Sequence, residues 1–84
     1  MDLLGNYPNP FNPQTTIEYQ LSKPAEATLS VYNLMGEKVA TMVNKAGETQ
    51  FKFDAGAYEL TSGVYIYQIA AGSEVMTNKM MLLK

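Results

Sequence analysis

The sequence predicts an all-β fold, and three observations lead to that prediction. Apolar and polar residues alternate with a period of two over several short runs, which is typical of half-buried strands. Turn-forming residues separate these runs at spacings of mostly about 8 to 12 residues, as in an antiparallel sandwich or barrel. No helical stripe of apolar residues persists. The 84 residues, 46% of them hydrophobic, are enough for one small domain with its own core.

The first element along the chain is a proline-rich segment from Tyr7 to Pro13. Its three prolines lack a backbone donor and fix φ, so the segment is neither a helix nor a central strand. The residue before each proline is driven towards extended geometry as well. We therefore expect a stiff, extended ribbon that Tyr7 and Phe11 anchor. We place the domain at residues 7–84, after a residual linker or tag at residues 1–6.

The strands follow in order. Four runs have one apolar and one polar face, and they are residues 15–21, 27–32, 38–43 and 50–54. The third run is the least regular, because two valines compete with an alanine and a methionine for the inner face. Residues 64–69 are apolar on both faces except at Gln68, which predicts a central strand.

The segment from Leu60 to Tyr65 narrows the architecture. Tyr65 follows Gly63 by two residues at the start of a predicted strand. This arrangement is similar to the tyrosine corner of immunoglobulin-like Greek-key sandwiches, in which the hydroxyl bonds to upstream backbone. The alternative is that Tyr65 is an ordinary core residue. The corner favours a sandwich of the immunoglobulin type.

Composition excludes several functions. A net charge of −2, with six lysines and no arginine, gives no basic surface for nucleic acid. No apolar run is long enough for a membrane span. Cysteine and histidine are absent, which removes thiolate nucleophiles, zinc–sulfur sites and the usual general base. We therefore expect no enzyme, no cofactor, no nucleic-acid partner and no membrane span. Asp54 and Glu59 could form a weak calcium site, but a turn-stabilising Asp54 is favoured.

The last run, Lys79 to Lys84, is apolar on both pleat faces and bracketed by lysines. One interpretation is a buried last strand whose lysines limit aggregation. The other is a strand presented to another protein, which would use edge pairing for affinity and alternate side chains for specificity. The residues alone favour the first interpretation.

Four segments, in order, resemble the motifs of the C-terminal sorting domain of the type IX (Por) secretion system. They are residues 7–17, residues 31–39, residues 62–67 and the lysine-flanked residues 79–84. The motif positions that carry the resemblance are Tyr7, Pro8, Asn9, Pro10, Phe11, Asn12, Pro13, Tyr32, Asn33, Gly36, Gly63 and Tyr65. Phe53 stands where this family often has tryptophan.

The resemblance implies an immunoglobulin-like Greek-key β-sandwich of about seven short antiparallel strands, attached to a larger secreted cargo protein. It implies a sorting signal that the outer-membrane translocon reads in Gram-negative bacteria of the Bacteroidetes group, after passage through the periplasm. A surface signal peptidase would remove the domain in or upstream of residues 1–6, leaving the cargo secreted or on the cell surface.

The resemblance also reverses the interpretation of the last strand. The residues expected to carry recognition are Lys79, Met80, Met81, Leu82, Leu83 and Lys84. Two other functions remain open. A non-catalytic carbohydrate- or surface-binding module of a secreted hydrolase would expose an aromatic row from Tyr32, Tyr58 or Tyr67. A structural spacer would only stabilise the preceding domain.

Overall fold

The computed structural model describes residues 2–84, and this part of the chain folds into seven strands and one 3₁₀ turn. The elements are β1 (Asp2–Tyr7), β2 (Gln14–Gln20), β3 (Ala27–Tyr32), β4 (Lys38–Asn44), β5 (Gln50–Asp54), the 3₁₀ turn (Ala55–Tyr58), β6 (Gly63–Ala71) and β7 (Glu74–Leu82). The strands form two antiparallel sheets, in the orders β1-β2-β5 and β4-β3-β6-β7. The predicted all-β sandwich is confirmed.

The chain alternates between the two sheets in Greek-key fashion. β5 returns to pair with β2, and β6 crosses to pair with β3. In a constant-type immunoglobulin domain the fourth strand extends the first sheet. Here β4 instead extends the second sheet beside β3. β6 lies between β3 and β7, as predicted for a central strand, and β7 forms the edge of the four-stranded sheet.

The core lies between the sheets and uses the inward faces that the alternation predicts. The large side chains with less than 2% exposure are Phe11, Ile17, Tyr19, Leu29, Val31, Phe51, Phe53, Tyr67, Ile69, Met80 and Leu82. Each contributes about 1.5–3 kcal/mol to folding through burial. Five of the eleven are aromatic, and they come from β2, β5, β6 and the ribbon, so large rings fill the gap between two short sheets.

The irregular alternation of β4 has a structural cause. The register between β3 and β4 shifts at Val31 and Tyr32, so that Ala40 and Lys38 are successive partners and Val39 is left over as a bulge. Ala40 is buried and Val43 is exposed. Val39, at the bulge, also packs half-buried against the core next to Ala40, which a strict period of two would not allow.

The ribbon is not extended, contrary to our expectation. Residues 8–10 and 12–13 bend, and Phe11 forms an isolated parallel bridge with Leu82. All three Xaa–Pro peptide bonds of the ribbon are cis. The bends have a topological reason: β1 and β2 pair antiparallel, so the ribbon must reverse the chain between them.

Residues 2–6, which we expected to be a residual linker or tag, are part of β1 and pair with β2. Met1 lies outside the described residues. The sandwich therefore incorporates this segment as an edge strand. Where the domain ends and a linker begins stays a prediction.

The tyrosine corner is confirmed, because the Tyr65 hydroxyl donates a 2.6 Å hydrogen bond to the carbonyl oxygen of Thr61. The turn-stabilising role of Asp54 is confirmed as well. Its Oδ1 accepts from the Gly56 N–H at 2.8 Å and caps the 3₁₀ turn. Among residues 2–84, no three His, Cys, Asp or Glu side chains lie close enough to hold a metal ion. The described chain also has no helix with the length and hydropathy of a membrane span.

Candidate recognition surface

The surface around β7 combines the two ends of the sequence that the motifs single out. β7 pairs with β6 on one side, with Met81 opposite Val64 and Lys79 opposite Ile66. Its side chains alternate, so Met80 and Leu82 are buried while Met81 is 40% and Leu83 51% exposed. The predicted recognition segment is thus divided into two inward anchors and an outward set formed by Lys79, Met81 and Leu83, with Lys84 also exposed.

The ribbon occupies the other side of β7. The Phe11 N–H donates to the Met81 carbonyl and the Leu83 N–H donates to the Phe11 carbonyl, each at 2.9 Å. The Asn9 side chain accepts from the Met81 N–H through Oδ1 at 3.0 Å. The first and last motifs of the chain are therefore joined by three hydrogen bonds.

The backbone N–H groups before and after this contact with the ribbon also have hydrogen-bond acceptors. The Lys79 N–H donates to Asn78 Oδ1 at 2.8 Å, and the Lys84 N–H donates to Ser62 Oγ at 2.9 Å. A strand that adds to a sheet needs free N–H and C=O groups along the edge. The N–H groups of Lys79, Met81, Leu83 and Lys84 are already engaged, so the outward side chains are the main feature that this segment offers a partner.

Phe11 fixes the ribbon in place. Its ring is 1% exposed and meets the Phe53 ring edge-on, at a centroid distance of 6.2 Å. The prediction that Tyr7 is a second anchor of the ribbon is wrong. Its side chain is 52% exposed, because Tyr7 ends β1 opposite Thr16 on the outward face of the sheet. One buried aromatic ring and three hydrogen bonds hold the ribbon to β7.

A small cavity of about 260 Å³ opens where the ribbon meets the outer face of the sheet. The ribbon, β6 and β7 all line it, with Asn9, Pro10, Val64, Lys79, Met80 and Met81. Further along the same face, Ile66 is opposite Tyr32, and the Lys38 ammonium lies 6.0 Å from the Tyr32 ring centroid.

The family model for the secretion system C-terminal sorting domain matches residues 6–83, which is nearly the whole chain. The chain belongs to this family. Membership indicates a type IX sorting signal that is attached to a cargo protein and directs its export to the cell surface or beyond. The family is non-catalytic. A search of curated proteins found no match.

The second motif of the sorting domain builds the turn between β3 and β4. Asn33 Oδ1 accepts from the N–H groups of Met35 and Glu37, at 2.9 and 3.0 Å, and its Nδ2 donates to the Glu37 carboxylate. Gly36 takes φ +83°, which a side chain would disfavour. Asn33 and Gly36 thus shape a turn, as Gly63 and Tyr65 shape the corner, and none of the four lines the cavity at β7.

Tyr32, Tyr58 and Tyr67 do not form the exposed aromatic row that a carbohydrate-binding module would need. Tyr67 is 0% exposed, so the prediction that it belongs to such a row is wrong. It faces inward because it lies one residue from outward-facing Ile66. Tyr58 stacks on Phe53 at 5.6 Å, and Tyr32 is half-buried beside Lys38. Burial raises the pKa of the Tyr67 hydroxyl, for which residues 2–84 provide no hydrogen-bond partner.

Sequence reasoning missed the contact between the ribbon and β7. Asn9 and Met81 are 72 positions apart, and neither residue type indicates which other residue it contacts. The first and the last of the four motifs are in contact at this point, and their order along the chain does not predict that contact.

Proposed function

We propose that this sorting domain is read by the type IX outer-membrane translocon through the outward side chains Lys79, Met81 and Leu83. The exported cargo would pass through the periplasm of a Gram-negative cell, and a surface signal peptidase would then remove the domain. Met80 and Leu82, which were expected to take part in recognition, act in this proposal by holding the strand in place.

The division of β7 into two faces is the observation that supports the proposal. A strand buried on both faces has nothing to present, whereas residues 79–83 keep two side chains in the core and three outside. Exposed apolar residues that lie next to one another commonly mark a protein interaction site. Ile66, 37% exposed, continues the apolar surface from Met81 onto β6.

Cleavage in or upstream of residues 1–6 fits the position of β1. Proteases cut backbone that can leave its hydrogen bonds. β1 is an edge strand, and none of its six residues is buried. Leu3 is the one β1 side chain that packs, half-buried, against the core, and the fully buried core residues belong to other elements, so detachment of β1 from β2 would expose little apolar surface of its own.

The test is export of a secretable reporter that carries this domain. Deletion of residues 79–84 is a poor test, because it also removes two buried core side chains. The sharper variant replaces Lys79, Met81 and Leu83 together with threonine, which keeps strand propensity. The matched control replaces Gln14 and Lys52, outward residues of the three-stranded sheet, with threonine.

We expect the control fusion to be exported and the β7 fusion to remain in the cell, with both domains folded as judged by circular dichroism. Normal export of the β7 variant would overturn the proposal. If export stays normal while the reporter becomes less stable, the domain is a structural spacer instead.

A further inference from the structure

The cavity between the ribbon and β7 has the size of a side-chain pocket. Sites for small molecules typically have volumes of about 300–1,000 Å³. At about 260 Å³ this cavity lies just below that range, so it suits one inserted side chain better than a whole small ligand. Pro10, Val64 and Met81 give it apolar walls, and Lys79 and Asn9 provide its polar groups.

The two walls of the cavity are fixed relative to each other. One wall belongs to the ribbon and the other to the sheet, and the bonds from Asn9 and Phe11 to Met81 join them. The buried ring of Phe11 prevents the ribbon from sliding along the strand. A cavity formed before its ligand arrives costs less ordering entropy on binding.

The face that carries the cavity lacks acidic residues. The strand registers place on the outer face of the four-stranded sheet, among others, Thr28, Ser30, Tyr32, Thr41, Val43, Val64, Ile66, Gln68, Ala70, Val75, Thr77, Lys79 and Met81. None of these residues is acidic, and Lys38 adds a second positive charge beside Tyr32. By contrast, the three-stranded sheet has Glu18 and Asp54 in its outward register. An acidic partner is complementary to the first face only.

We infer that Asn9, Pro10, Val64, Lys79 and Met81 form one composite docking site, which takes a protein segment presenting an apolar side chain beside a carboxylate. The apolar side chain fills the cavity, and the carboxylate pairs with the Lys79 ammonium at its rim. The inference rests on the proposed function and names the chemistry of the surface that the translocon must offer. It also makes the ribbon half of the recognition site.

The test uses charge changes in the reporter fusion. Asn9→Asp keeps the oxygen that accepts from the Met81 N–H but adds a negative charge to the cavity, and Asn12→Asp adds the same charge to an exposed ribbon position outside it. Lys79→Glu reverses the charge at the rim, and Lys52→Glu does so on the other sheet. Val64→Thr makes one wall polar at nearly constant volume.

We expect Asn9→Asp, Lys79→Glu and Val64→Thr to lower export, the two charge variants by about tenfold or more, because each brings a negative charge next to the partner's carboxylate. Asn12→Asp and Lys52→Glu should be exported like the unaltered fusion. Thermal unfolding of each isolated variant must stay cooperative, so that lost export cannot be assigned to unfolding.

Three outcomes would overturn the inference. If both charge variants are exported like their controls, the site is not electrostatic. If only Val64→Thr is exported normally, the site recognises a negative charge of its partner without taking an apolar side chain into the cavity, as it would for an isolated anion. If Asn9→Asp alone is normal, the ribbon is not part of the site. In each case failed export of the β7 threonine variant would still uphold the proposed function.

Discussion

β1 and β7 are both edge strands, one in each sheet, but they are held in opposite ways. β1 has six residues, none of them buried, and its register with β2 shifts between Leu3 and Gly5. β7 has nine residues, buries Met80 and Leu82, and bonds to the ribbon along its outer edge. Position at an edge thus says little about how firmly a strand is held. Buried side chains and the state of the outer edge decide it.

The difference between the two strands fits the proposed division of labour. A peptidase needs backbone that opens, and β1 can open without exposing a fully buried side chain of its own. A receptor needs side chains at fixed positions, and β7 is fixed by the core on one face and by the ribbon at its edge. Two edge strands can therefore serve different functions, one as a segment that a peptidase cuts and the other as a segment that a receptor binds.

The largest expected effect is on stability. Leu82→Ala removes a fully buried side chain from β7 and should lower the free energy of unfolding by about 2–5 kcal/mol. Leu4→Ala makes the same chemical change in β1, where the side chain is 56% exposed, and should change it by no more than about 0.5 kcal/mol. Urea denaturation of both variants measures the difference. Equal losses would mean that β1 is anchored as firmly as β7, and the comparison would fail.

A smaller effect concerns local opening. The amides of β1 should exchange with solvent through opening of that strand alone, whereas those of β6 and the C-terminal part of β7 should require global unfolding. We expect protection in β1 to be at least about tenfold lower, which corresponds to about 1.4 kcal/mol. Native-state hydrogen exchange followed by mass spectrometry of peptic fragments measures it. Protection of β1 equal to that of β6 would contradict the assigned weakness of this strand.

Much of the fold could be predicted because a period of two fixes which side chains share a face. Ile17, Leu29 and Phe53 are buried for that reason, and the inward and outward faces of β7 follow the same rule. Tyr65 could be assigned to a corner because its spacing from Gly63 is a local signal. Such signals lie within a few residues of one another, where the sequence is informative.

Most of the candidate site could not be predicted, because it depends on pairing between distant segments. Residues 79–84 are apolar on both pleat faces, so alternation separates Met80 from Met81 but does not say which of the two faces the core. The bonds from Asn9 and Phe11 to β7 cross the whole chain and leave no periodic trace. We expected Tyr7 to anchor the ribbon, but its position in β1, opposite Thr16, turns its side chain outward.

The smallest expected effect concerns two tyrosines of β6, the strand that supports β7. The Tyr67 hydroxyl is buried and has no partner among residues 2–84, so it loses its hydration without replacement. Tyr67→Phe should therefore raise the free energy of unfolding, by about 1 kcal/mol. Tyr65→Phe is the matched control and should lower it by a similar amount, because the Thr61 carbonyl loses its donor. Urea denaturation measures both signs, and destabilisation by Tyr67→Phe would show that its hydroxyl has a partner.

Tyr67 also predicts how stability depends on alkaline pH. Burial raises the pKa of Tyr67 in the folded domain, whereas an exposed tyrosine in the unfolded chain ionises near pH 10. Below about pH 10 both states keep the hydroxyl protonated, so Tyr67 causes no pH dependence there. Above about pH 10 the unfolded state releases the proton first, and stability falls as pH rises through the folded-state pKa. The difference in unfolding free energy between the unaltered domain and Tyr67→Phe should therefore widen from about pH 9 to about pH 11. A constant difference would mean that Tyr67 ionises equally well in the core, and that the support beneath β7 is open to solvent.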